Sequence, residues 1–188
     1  MPLPFLRNKK SPLWDRIHSD DATRLRLKYD TYYHIFQEQK GTRVVKDGKE
    51  FIMLSSNDYL GLSRHPKIKE AGIEAMKQWG SGTTGARLAN GGRIFHQRLE
   101  EKLAHFVGKE ACHVFSAGYL ACASSVTGFA ERKDLVFADK NLHSSLWSGI
   151  QLSGAKCERF AHNHPGHVRE ILEDEEQGTN KLFVLEGV

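Results

Sequence analysis

A histidine stands at the junction between a short apolar run and a helix-like pattern. Residues 136–139 read Val-Phe-Ala-Asp, a few polar residues follow, and the helical pattern begins around His143. In open α/β sheets, ligands bind in the crevice outside the carboxyl ends of the strands. An imidazole in that crevice can stack on a flat ring or donate a hydrogen bond to an anion. A histidine in such a turn can also simply cap the helix, so His143 has both a functional and a structural interpretation.

Three further segments carry groups suited to ligand binding. Residues 116–119, Ser-Ala-Gly-Tyr, link a predicted strand to its helix, where free N–H groups favour a phosphate and Tyr119 adds an aromatic face. The glycine-rich residues 80–92 offer amides and hydroxyls, and residues 55–62 carry Asn57 and Asp58 in an apolar frame. For Gly118 taken alone, an ordinary helix-start turn is an equally good explanation.

A phosphate cradle beside two flat side chains, Tyr119 and His143, suits a phosphorylated aromatic cofactor. Pyridoxal phosphate fits better than a dinucleotide, because no Gly-x-Gly-x-x-Gly follows a strand. The three cysteines are widely spaced among apolar or small residues, so neither a disulfide framework nor a metal site is implied.

The elements that must position these groups alternate in the second half of the chain. Strands are predicted at residues 111–115, 135–138, 156–160 and 181–185, and helices at 95–107, 119–130, 144–152 and 166–175. This alternation over short loops predicts an α/β fold with right-handed crossovers and a mostly parallel sheet. Before it we expect an N-terminal helix, an extended aromatic segment, a hairpin at 43–54 turning at Asp47-Gly48, and a helix at 65–79.

Composition narrows the class of protein. The 188 residues are 39% apolar and contain no run long enough to span a membrane. The net charge is +4, and the basic residues are scattered among acidic ones, which disfavours a nucleic-acid surface. Basic residues follow the short apolar stretch at the N-terminus, the reverse of a secretory signal, so a cytoplasmic location is expected.

Six segments in order resemble the α-oxoamine synthase family of pyridoxal-phosphate enzymes. The resemblance covers roughly residues 43–188 and is carried by Ser-Asn-Asp-Tyr-Leu-Gly-Leu, Gly-Ser-Gly-Thr-Thr-Gly-Ala-Arg, His-Gln-Arg-Leu-Glu-Glu-Lys-Leu, Phe-Ser-Ala-Gly-Tyr, Ala-Asp-Lys-Asn-Leu-His-Ser-Ser and Phe-Ala-His-Asn. It implies a fold-type I, aminotransferase-like fold and a homodimer. It also implies condensation of an amino acid with an acyl-CoA thioester, usually with decarboxylation, to an α-amino ketone.

The resemblance also implies roles for matching residues. Gly118 and Tyr119 match a pair that lies against the cofactor, and Glu186 matches an acid near it. His143 matches the catalytic histidine that stacks on the pyridine ring and touches the substrate carboxylate. Asn57 matches a residue lining the substrate pocket.

The N-terminal match is looser. Arg26, three residues before Tyr29, matches an arginine that meets the substrate in some members, and Arg24 or Arg43 are alternatives.

The resemblance divides the chain into residues 1–54 and the cofactor-binding residues 55–188, the first part of a large domain. The family's Schiff-base lysine, its pyridinium-pairing aspartate and the following histidine are expected beyond Val188. Four lysines do not stand in the required context: Lys133, Lys140, Lys156 and Lys181. We therefore expect an N-terminal part of a longer enzyme, inactive alone. An aminotransferase or lyase of the same fold, or a non-catalytic fragment, is the alternative.

Overall fold

The computed structural model describes residues 12–27, 34–173 and 180–187. Contacts along the chain group it into two compact units, Met1–Gly82 and Thr83–Val188. The domain boundary expected between residues 54 and 55 stays a prediction. Among the helices of these described residues, none is long and apolar enough to cross a membrane.

In its described residues, the first unit contains two α-helices, a 3-10 helix and an antiparallel sheet. Its elements are α1 (Pro12–Leu27), β1 (Glu38–Lys40), β2 (Arg43–Lys46), β3 (Lys49–Ile52), a 3-10 helix at Leu62–Arg64 and α2 (Pro66–Trp79). The predicted hairpin is present as β2 and β3, within a sheet of order β1-β2-β3. Asp47 and Gly48 have φ values of 51° and 71°, the left-handed pair that a two-residue hairpin turn requires. The predicted aromatic segment lies partly outside the described residues.

The second unit carries the predicted parallel sheet. Its elements are α3 (Ile94–Val107), α4 (Gly118–Phe129), β4 (Leu135–Asp139), α5 (Ser144–Ser153), β5 (Lys156–Phe160), α6 (Pro165–Glu173) and β6 (Lys181–Val184). Strand β4 is central and pairs in parallel with β5 and β6. The predicted end of α6 at residue 175 lies outside the described residues.

Helices cover both faces of β4, all five of whose residues are buried. Val136 and Ala138 share one apolar cluster with residues of α4 and α5. Leu135 and Phe137 face the other way, into a cluster that α6 completes. Alternate residues of a strand point to opposite faces, so an uninterrupted apolar strand suits a two-sided core.

The strand predicted at residues 111–115 is wrong for the described part of the chain, where these residues pair with no strand. Side chains occupy the backbone groups of Val114 instead. Its N–H donates to a carboxylate oxygen of Glu100 at 2.8 Å, and its carbonyl accepts from Arg87 at 2.8 Å. An apolar pattern predicts strand conformation, but a strand also needs a partner ladder.

Candidate functional site

The N-terminus of α4 presents uncapped amides. Ala117 holds the N-cap position and its methyl group makes no capping bond. The structure shows no acceptor among the described residues for the N–H groups of Gly118, Tyr119 and Leu120. A Cβ built on Gly118 would meet nothing within 4 Å, so the space beside this turn is open. Open N–H groups at a helix N-terminus suit an anion.

Tyr119 connects this turn to the neighbouring helix α5. Its hydroxyl donates to Ser148 Oγ at 2.6 Å, and Ser148 in turn donates to the carbonyl of Ser144 at 3.0 Å. Half of the surface of Tyr119 remains exposed (50%). The aromatic ring is therefore anchored at its hydroxyl end and still accessible.

His143 caps α5, as its structural interpretation predicted. The residue is the N-cap, and its Nδ1 accepts the N–H of Ser145 at 3.2 Å. The ring nevertheless remains available, because the side chain is exposed and no described residue is hydrogen-bonded to Nε2. Capping and ligand binding use different nitrogen atoms of the same ring.

Glu186, just after β6, is bonded to the turn that carries His143. Its carboxylate accepts the backbone N–H of His143 at 2.5 Å. Since β6 and β4 are neighbours in the sheet, this bond joins the segments leaving two adjacent strands. The structure thus joins His143 and Glu186 beyond the ends of two parallel strands, and it links Tyr119 to the helix that His143 caps. The neighbouring Gly118 opens α4.

Asp139, the last residue of β4, supports this arrangement and was missed as a functional position. Its buried carboxylate accepts the N–H of Asn141 at 2.8 Å and lies 2.8 Å from Nδ1 of His162. The Asn141 amide does most to lower the pKa of Asp139, His162 adds to the effect, and burial opposes it. The segments 139–141 and 161–164 overlap two of the motifs that carry the family resemblance, so the sequence already drew attention to both. Only the fold shows that Asp139 and His162 meet.

A second ion pair holds the glycine-rich segment. The guanidinium of Arg87 makes two bonds to the Glu100 carboxylate, at 2.6 and 3.0 Å. The hydrogen bond from Arg87, with that from the Val114 N–H, lowers the pKa of Glu100 to about 2. Because Val114 precedes Gly118 by four residues, this pair fixes the chain that leads into the uncapped turn.

The predicted substrate-binding residues Arg26 and Asn57 belong to the first unit. Arg26 is exposed on α1, and Asn57 is exposed in the segment after β3. Next to Asn57, Asp58 accepts the N–H and the hydroxyl of Ser63 at 3.2 and 2.6 Å, which lowers the pKa of Asp58. Tyr29, used to align Arg26, lies outside the described residues. The substrate roles of Arg26 and Asn57 stay predictions.

Comparison with known proteins decides the family. Residues 49–188 match the model for aminotransferase class I and II. The chain belongs to that family. Because the match starts in β3 and runs through every element of the second unit, it includes Gly118, Tyr119, His143 and Glu186.

Two individual relatives indicate which members of this family the chain resembles. An 8-amino-7-oxononanoate synthase of Geotalea daltonii is 39% identical over 155 residues, which are 82% of this chain and 39% of the relative. A serine palmitoyltransferase of Bacteriovorax stolpii is 34% identical over 154 residues, 82% of this chain and 37% of the relative. These similarities confirm the predicted resemblance to α-oxoamine synthases. The chain spans well under half of the length of each relative.

A solved structure confirms the fold. A variant serine palmitoyltransferase from S. paucimobilis, determined with a bound PLP–myriocin aldimine, superimposes with a TM-score of 0.89 at 31% identity. The superposition covers 95% of this chain and 46% of that one. The predicted fold-type I architecture is therefore correct.

Proposed function

We propose that the protein is a pyridoxal-phosphate-dependent acyltransferase. It would condense an amino acid with an acyl-CoA thioester, usually with decarboxylation, to give an α-amino ketone. One observation carries the proposal: His143 and Glu186 are hydrogen-bonded beyond the ends of two parallel strands, and the helix that His143 caps is bonded to an accessible tyrosine at the uncapped N-terminus of α4. The named relatives and the related structure with PLP support it.

The donor set fits pyridoxal phosphate. The N–H groups of Gly118 and Tyr119 would hold the phosphate, and the missing side chain at Gly118 leaves room for its approach. The rings of Tyr119 and His143 would lie against the cofactor, with Glu186 near it. In such enzymes the cofactor accepts electrons from the bond broken at the substrate.

The residues of this chain then bind and orient. His143 would keep the cofactor ring in its plane and position the substrate carboxylate, while Asn57 and Arg26 would line the amino-acid pocket. Glu186 holds the backbone of His143 in place. Orientation of this kind is what the protein adds to a reaction whose electronics the cofactor supplies.

The first test is cofactor binding and CoA release by the longer enzyme expected to contain these 188 residues, with His143→Ala. We expect weaker binding of pyridoxal phosphate, followed by its absorbance, and a fall in thiol release of about 100-fold, a size typical of removing one transition-state contact. His105→Ala, which removes an exposed histidine of α3, is the matched control. Unchanged absorbance and rate in the His143 variant would contradict the proposed role.

The phosphate subsite has a separate test. Gly118→Val places a branched side chain in the open space beside the uncapped amides and should weaken cofactor binding. Gly128→Val is matched, since Gly128 lies in the same helix and its added Cβ would also meet nothing within 4 Å. Equal cofactor affinity of the two variants would place the phosphate elsewhere.

The alternative of an aminotransferase of the same fold is favoured by the general name of the matched family. The same assay separates the two, because transamination gives a keto acid and releases no CoA. The homodimer, the cytoplasmic location, and the inactivity of the 188 residues alone stay predictions.

A further inference from the structure

The hydroxyl and the backbone N–H of Ser145 both lie within hydrogen-bond distance of Nδ1 of His143, the proposed catalytic histidine. It is the second residue of α5 and only 1% of its surface is exposed. Its Oγ lies 2.7 Å from Nδ1 of His143, and its backbone N–H donates to the same nitrogen at 3.2 Å. Burying a hydroxyl costs free energy unless the hydroxyl is hydrogen-bonded, so the contact with Nδ1 stabilises the buried side chain of Ser145.

The backbone bond shows which nitrogen accepts in the structure, and the hydroxyl of Ser145 adds to the preference for that tautomer. A backbone N–H can only donate, so Nδ1 of His143 must accept. The neutral ring therefore carries its hydrogen on Nε2, and the Ser145 hydroxyl must donate to Nδ1 rather than accept from it.

Neither nearby carboxylate sets this tautomer. Glu186 is bonded to the backbone N–H of His143, and Asp139 is bonded to Asn141 and His162. In the described part of the chain, Ser145 is thus the residue whose groups reach the ring nitrogen.

We infer that Ser145 is a positioning residue that holds His143 in the Nε2–H tautomer, so that the ring offers an N–H donor to the carboxylate of the amino-acid substrate. The carboxylate in this statement rests on the proposed function, whereas the tautomer rests on the hydrogen bonds alone. Nε2 has no acceptor among the described residues, so the donor is available to a ligand.

Nitrogen NMR tests the tautomer without cofactor or activity. In protein carrying ¹⁵N-labelled histidine, an accepting ring nitrogen and an N–H nitrogen differ widely in chemical shift, and His143→Asn assigns the signals. We expect Nδ1 of His143 to be the acceptor in the wild type and in Ser144→Ala, which alters an exposed neighbour. In Ser145→Ala, which keeps the backbone bond and loses the hydroxyl, we expect mixed tautomers.

Steady-state kinetics of the longer enzyme expected to contain these residues tests the consequence. Ser145→Ala should raise KM for the amino acid about three- to tenfold, the factor typical of one lost hydrogen bond, and change kcat less. A wild-type ring protonated on Nδ1 would overturn the inference, as would a folded Ser145→Ala variant with a single Nε2–H tautomer and unchanged KM. If the NMR result holds and no pyridoxal phosphate binds, the proposed function fails while the tautomer assignment stands.

Discussion

Within the described residues, the two sheets each have three strands, and they differ in the burial of their central strand. In the parallel sheet every residue of β4 is buried, whereas in the antiparallel sheet β1 and β3 are exposed throughout and β2 buries only Val44. Helices cover both faces of β4, with α4 and α5 on one side and α6 on the other. Within its own unit, the antiparallel sheet is held by its ladders and its tight turn.

This difference explains where the proposed chemistry is placed. A site needs side chains held within a fraction of an ångström, and a strand fixed on both faces supplies such an anchor. Asp139 is the last residue of β4 and His143 follows that strand, while Glu186 follows the neighbouring strand β6. The antiparallel sheet has no comparable core within the described residues.

The strongest test of this contrast is truncation of one phenylalanine in each sheet. Phe137 is fully buried and stacks on Phe183 with ring centroids 4.8 Å apart, whereas Phe51 is 49% exposed. Phe137→Ala should lower the free energy of unfolding by about 3–5 kcal/mol, and Phe51→Ala by less than about 1 kcal/mol. Urea unfolding measures both, and equal losses would contradict the contrast.

A smaller effect is expected for helix glycines. A Cβ on Gly149 in α5 would come within 2.8 Å of the Ala123 carbonyl and 2.9 Å of Val126 Cβ, while one on Gly72 in α2 would meet nothing within 4 Å. Gly149→Ala should therefore destabilise the protein by about 1–3 kcal/mol through overpacking. Gly72→Ala should stabilise it by up to about 1 kcal/mol through helix propensity. Thermal unfolding compares them, and a neutral Gly149→Ala would show that α4 and α5 can separate without cost.

The smallest effect concerns pH. The pKa of Glu100 falls from 4.5 to about 2 in the folded protein, chiefly through the Arg87 hydrogen bond. A lowered folded-state pKa contributes stability that is complete above the unfolded value and is lost as the pH falls through the folded value. The stability difference between wild type and Glu100→Gln should therefore shrink as the pH drops from 4.5 towards 2.

Thermal unfolding over that pH range makes the comparison, with Glu101→Gln as the control. Glu101 is an exposed residue of the same helix and accepts one bond from Gln97. A Glu100→Gln difference that stays constant with pH would mean that the Arg87 bond does not form in solution.

Local patterns predicted most of the fold. Apolar runs located β4, β5 and β6, and Asp47-Gly48 located the hairpin turn. Strand β1 was missed because Glu-Gln-Lys shows no apolar alternation, and its pairing with β2 defines it. The strand predicted at residues 111–115 failed for the converse reason, since its pattern lacks a ladder within the described chain.

The positions of the candidate site residues could be predicted from the sequence, but the hydrogen bonds among them could not. Motif order indicated Gly118, Tyr119, His143 and Glu186, but the sequence could not set the tautomer of His143, because that depends on the direction of one amide and one hydroxyl of Ser145. Similarly, Asp139 and His162 are 23 residues apart, and only the pairing of β4 with β5 brings them within 2.8 Å.

The carboxylate of Asp139 has a consequence for motion. It accepts the N–H of Asn141, in the segment that leads to His143, and it is paired with His162, in the segment that follows β5. Each segment bonds to a different oxygen of this one carboxylate, so replacing Asp139 would release both at once, and we expect their opening to be coupled. Their amides should therefore exchange with solvent deuterium at linked rates, and a ligand that orders one segment would slow exchange in the other.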